Sequence, residues 1–95
     1  MAPLPTIASM AVAPFSKRFG AVVRIHRLRL QYTQEQLAEA AGIHATYVGM
    51  VERGERNCSL DIAAAIADAL RSPFWELIEE AERHHAPATG RVGGR

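Results

Sequence analysis

Ninety-five residues make one small domain, with room for only a modest hydrophobic core. Hydrophobic residues at 48% and charged residues at 22% fit a soluble globular chain, and no run approaches the ~20 apolar residues of a membrane span. A single cysteine, Cys58, excludes a disulfide within the chain, which is compatible with the cytoplasmic setting expected for it.

The net charge of +1 does not mark a binder of polyanions, but the distribution of charge is informative. In residues 15–56, seven lysines and arginines outnumber four glutamates; in residues 57–83, six acids outnumber two arginines. A polyanion would choose the first half and leave the second facing away.

Residues 1–14 carry prolines at Pro3, Pro5 and Pro14 and lack a basic start, so they read as a disordered arm rather than a signal peptide. Five helices are then expected. The first covers 15–30, with Phe19, Val22, Val23, Ile25 and Leu28 forming one broad apolar stripe. Thr33 and Gln36 have the spacing of a capping box, which starts a second helix at 34–41. Gly42 supplies the left-handed residue that ends it. A third helix, 44–53, ends in the same way at Gly54. Ser59 caps a fourth, 60–70, with Leu60, Ala63, Ile66, Ala67 and Leu70 at helical spacing. Ser72 and Pro73 start a fifth at 73–83. The tail 84–95, with Pro87, Gly90, Gly93 and Gly94, reads as disordered. The expected class is all-α, a five-helix bundle over 15–83 between two tails.

The informative stretch is 34–53, two short helices joined by a tight turn at Gly42. Ala38 is small where the two must approach. Leu37, Ala41, Ile43, Val48 and Val51 fall on the core side. His44, Ala45, Thr46, Gly49 and Met50 are read as outward, leaving a helix slim enough for a major groove ~12 Å wide.

At this point the chain resembles a known family. The segment TQEQLAEAAGIHATYVGMVERGERNCSL is similar to the Cro and phage-repressor type of helix-turn-helix, also called xenobiotic-response-element-like regulators. The resemblance implies a five-helix bundle that binds double-stranded operator DNA, usually as a homodimer on a palindromic site, with no cofactor. By position, Gln34 matches a glutamine beside the DNA backbone. His44, Ala45, Thr46 and Met50 match base-facing positions, with Gly49 and Tyr47 beside them. His44 is open to two readings, a base or phosphate contact or a weak helix cap; Tyr47 is open to a phosphate contact or a ring on the core edge. Arg53, Arg56 and Asn57 should follow the sugar-phosphate strand. Arg27 and Glu52 match a partly buried ion pair that orients the reading helix.

The chain departs from the family at telling places. Gln31 stands where glycine is usual and is expected to be left-handed. Ala45 and Met50 replace the common Arg, Lys or Gln readers, so bidentate recognition of guanine from those positions is lost, and specificity falls to Thr46, His44, apolar contacts and DNA shape. Cys58 replaces a frequent proline and reads as a small, partly buried residue. Ile62, Phe74, Trp75 and Ile78 are offered as an isologous dimer contact. An enzyme is not expected: the chain has no phosphate-binding glycine loop, no metal-ligand spacing and no nucleophile with an evident base. The rival from another class is a protein-interaction module, an antitoxin-like chain that binds a protein partner through its fifth helix.

Overall fold

A computed structural model describes residues 13–83; the tail, and the arm apart from Ala13 and Pro14, lie outside the described residues. Within 13–83 there are five helices and no strand: α1 (Phe15–Arg29), α2 (Gln34–Ala41), α3 (Ala45–Glu52), α4 (Leu60–Ala69) and α5 (Phe74–Arg83). The fold is all-α, as expected from the sequence. Pro14 belongs to the fold rather than to a loose arm. It occupies the N-cap of α1, and its carbonyl accepts from the Lys17 and Arg18 amides at 3.0 and 3.1 Å.

The local signals act as their chemistry requires. Thr33 Oγ1 accepts from the Gln36 amide at 3.0 Å, while Gln36 Oε1 accepts from the Thr33 amide at 2.8 Å, a complete capping box. Ser59 Oγ accepts from the Ile62 amide. Helices α1 to α4 all close alike, with the amide of residues 32, 43, 55 and 72 returning to the carbonyl five residues earlier. That closure needs a left-handed residue just before the returning amide. Gly42 and Gly54 supply two of them, at φ 75° and 73°. Gln31 and Arg71 supply the others at φ 61° and 62°, where a Cβ is unfavourable. Gln31→Gly should therefore raise stability by roughly 0.5–1 kcal/mol, read as a higher urea midpoint at unchanged slope. An unchanged midpoint would mean that the turn carries no strain.

The core gathers one face from every helix. Val22 and Val23 of α1, Leu37 of α2, Val48 and Val51 of α3, Ile66 of α4 and Leu77 of α5 are fully buried. Helix α1 packs on α3 and α5, α2 packs on α3 and α4, and α4 meets α5. Two expected core residues lie elsewhere. Leu28 is half exposed because it lies on the outer face of α1, in line with the exposed Ala21 and Arg24, while Arg27 and Leu30 turn inward; Leu60 is exposed at the first residue of α4, on the rim of the bundle.

Helix α5 is tied to α1 by polar contacts as well. The Arg18 guanidinium donates to the Ala81 carbonyl at 3.4 Å. His26 Nε2 pairs with Glu80 Oε1 at 2.8 Å, and Ser72 Oγ lies 3.4 Å from His26 Nδ1. The His26 hydrogen bond holds the Glu80 carboxyl below the usual carboxylate range, against a smaller opposing effect of burial. A depressed carboxyl stabilises the fold above its unfolded-state value, and that contribution disappears as pH falls through the folded-state value. Glu80→Gln should thus cost about 1 kcal/mol at neutral pH, with the gap to wild type closing below about pH 5. Thermal melts of both proteins across that range check it; a gap constant with pH would refute the pairing.

Candidate nucleic-acid interface

Helix α3 is only eight residues long, too short to be stable alone. Its position is set by its neighbours. Gly20 of α1 touches its C-terminal end: a Cβ there would overlap the Val51 carbonyl oxygen and lie 2.8 Å from that of Glu52. Gly54, just beyond α3, is required twice. Its φ is left-handed, and an added Cβ would sit 2.7 Å from Lys17 Cα. Lys17 Nζ also donates to the Arg53 carbonyl at 3.2 Å, a cation on the negative end of the helix. The start of α1 thus clamps the end of α3. Neither Gly20 nor Lys17 stands out in the sequence, because their partners lie far along the chain, 36 residues away for Lys17 and Arg53, and local pattern does not register such contacts.

A polar network fixes the rotation of α3. Arg27 Nε and Nη2 donate to the two Glu52 oxygens at 2.6 and 3.1 Å, and Arg27 Nη1 donates to the Tyr32 carbonyl at 2.7 Å. Gln34 Nε2 donates to Glu52 Oε1 at 3.1 Å. Arg27 and Glu52 are buried, at 7% and 9% exposure. The bond to Glu52 pushes the Arg27 guanidinium further above its already high ordinary value, so it stays charged. One carboxylate therefore joins α1, α2 and α3.

Thr46 and Met50, with Arg53 at the helix end, are spaced four and three residues apart and share a face. Thr46 and Arg53 are exposed, and Met50 is half-buried. His44 occupies the N-cap position, exposed, and its side chain makes no capping bond. Ala45 and Tyr47 are partly buried and pack against the core, and Arg56 lies over the Tyr47 ring at 5.8 Å. Arg56 and Asn57 are exposed on the following loop.

Gly49, expected from its spacing to face outward, is buried. The start of α2 crosses over it, and an added Cβ would lie 3.5 Å from Gln34 Oε1 and 3.2 Å from Arg53 Nη1. Gly49 is a seat for the Gln34 side chain rather than a reading position.

The face around α5 is different in character, although its cleft reaches the loop of Arg56 and Asn57. Ile62, Phe74 and Ile78 are partly buried against the core, whereas Trp75 is 64% exposed. Phe74 and Ile78 line a largely apolar cleft of about 300 Å³ with Phe15, Phe19 and Leu60. Cys58 also lines it, and burial pushes its thiol up, away from the reactive thiolate. Among the described residues, no cluster of His, Cys, Asp or Glu is arranged to hold a metal ion, and no helix is long and apolar enough to cross a membrane.

Two short helices meeting at a left-handed glycine, the second carrying an exposed polar face beside the N-terminus of the first, define a helix-turn-helix DNA-binding regulator. The chain belongs to the helix-turn-helix family, of the Cro and phage-repressor type; the family model matches residues 23–76. It is 45% identical over 56 residues to the control protein C.SmaI of Serratia marcescens, covering 59% of this chain and 67% of that one. The restriction-modification controller protein C.AhdI of Aeromonas hydrophila superposes with a TM-score of 0.64 at 40% identity, over 65% of this chain and 94% of that one. The controller protein C.Esp1396I, solved as a tetramer with its natural 35 base-pair operator, superposes with a TM-score of 0.65 at 28% identity, over 74% and 97% of the two chains. These relatives are transcriptional regulators and controller proteins rather than enzymes.

Proposed function

We propose that this chain is a controller-type regulator that binds a pseudo-palindromic operator as a homodimer and lays α3 in the major groove. The observation that carries the reading is the Thr46–Met50–Arg53 face, exposed at Thr46 and Arg53 and held in one orientation by the Arg27–Glu52–Gln34 network. Thr46 and Met50 read thymine methyls and base edges, and His44 contributes a further donor or acceptor. Gln34, at the N-terminus of α2, and Arg53, Arg56 and Asn57 hold phosphates on either side. The polarity of charge along the chain supports this orientation, as does the operator-bound assembly of C.Esp1396I. The homodimer contact is assigned to Trp75, with the edges of Ile62, Phe74 and Ile78 around it, since an exposed tryptophan is the costliest apolar side chain to leave in water.

Selection from random duplex DNA at near-physiological salt, with sequencing of the bound pool, tests the reading. The expected product is a palindrome whose half-sites lie one turn apart, about 34 Å. A pool with no enriched sequence, and binding that fades with salt, would overturn sequence-specific recognition.

A further inference from the structure

We propose that Glu55 is an internal stand-in for a DNA phosphate: in the free protein it holds the Arg53 guanidinium, and DNA binding requires Arg53 to leave it. The proposal rests on the DNA-binding reading above and concerns what sets its affinity.

Arg53 ends the reading helix on the face of Thr46 and Met50. The left-handed turn at Gly54 doubles the chain back, so that the Glu55 amide reaches the Met50 carbonyl at 2.9 Å. The Glu55 side chain thereby returns beside Arg53. Arg53 Nε donates to Glu55 Oε2 at 2.9 Å and Nη2 to Oε1 at 3.2 Å. A guanidinium uses this same two-pronged geometry on a pair of phosphate oxygens. Both side chains are more than half exposed, so packing does not force them together. Arg53 holds the Glu55 carboxyl below the usual carboxylate range, and the Lys17 charge adds to the effect. Glu55 is thus the anion in a small basic locus made by Arg53 and Lys17, where a phosphate is expected to sit.

The exchange has a measurable electrostatic consequence. A free arginine that neutralises one phosphate releases about 0.9 of a counterion from the duplex. Arg53 begins paired, and Glu55, once released, stays beside the duplex as a like charge, so the pair brings little net positive charge to the DNA. In wild type the contact therefore adds little to the salt dependence. It also acts equally on all sequences, because a phosphate contact carries no base information.

Glu55→Gln removes the competing charge at an exposed position, so the fold should melt as wild type does. On a labelled random-sequence duplex across a salt series, it should bind roughly fivefold tighter. Its log–log salt slope should be steeper by about 0.9. In wild type, the Glu55 carboxyl followed by carbon NMR should titrate at a depressed pH when free and return to the ordinary carboxylate range on the duplex. An unchanged slope in Glu55→Gln, or a Glu55 carboxyl that stays depressed in the complex, would overturn the exchange. Both results presuppose a complex, so they differ from a wild-type protein that binds no duplex, which would overturn the DNA-binding reading and the exchange with it.

Discussion

Gly20→Ala is expected to destabilise the protein by roughly 2–3 kcal/mol, a fall in melting temperature of about 10–20 °C. The new methyl meets backbone: the Val51 and Glu52 carbonyls at the end of α3. A flexible side chain could swing aside, but here two helices must separate. Alanine's better helix propensity returns about 1 kcal/mol, which is why the net figure is below the full overpacking cost. Gly49→Ala is the matched control. It gains the same propensity, yet its new methyl meets only the ends of the Arg53 and Gln34 side chains. Its melting temperature should stay within a few degrees of wild type. Equal melting of the two variants would show that α1 does not press on α3 at Gly20.

The second large effect lies in the buried network. Glu52→Ala strands the Arg27 charge and leaves Gln34 without its acceptor. Breaking one side of a buried ion pair costs about 3–5 kcal/mol. Stability alone does not separate a structural role from an orienting one, so the pair is best removed together. Arg27→Met combined with Glu52→Leu replaces charge with apolar volume and should recover most of the lost stability. It does not restore the acceptor for Gln34. Operator affinity should therefore remain roughly tenfold weaker than wild type even where the melting curves agree. Full recovery of affinity along with stability would mean that Gln34 needs no anchoring from Glu52.

Much of this was legible in the sequence because the signals are local. The Thr33–Gln36 box, Ser59, Gly42 and Gly54 each act within one helical turn, and the structure places the helix starts and ends they imply within a residue or two. The 3.6-residue period located Val22, Val23, Leu37, Val48 and Ile66 in the core. What local chemistry does not encode is which helix crosses which. Gly49 has the spacing of an outward residue, yet α2 passes over it. Leu28 and Leu60 have the spacing of core residues, yet Leu28 falls on the outer face of α1 and Leu60 on the rim of the bundle. The left-handed Arg71 went unread, since arginine carries no turn signal. Glu55 is, in the sequence, one of the four glutamates of residues 15–56; only the turn at Gly54 brings it back onto Arg53.

The clamp of α1 on the end of α3 also bears on how the regulator responds to heat. An eight-residue helix has little stability of its own and depends on the core packing of Val48 and Val51 together with the contacts of Gly20, Lys17 and the buried carboxylate. The surface proposed to read DNA thus has no separate melting transition. It is lost in the same cooperative step as the hydrophobic core, so the fraction of molecules able to occupy an operator tracks the folded fraction directly, and a modest rise in temperature near the midpoint would release control abruptly rather than by degrees.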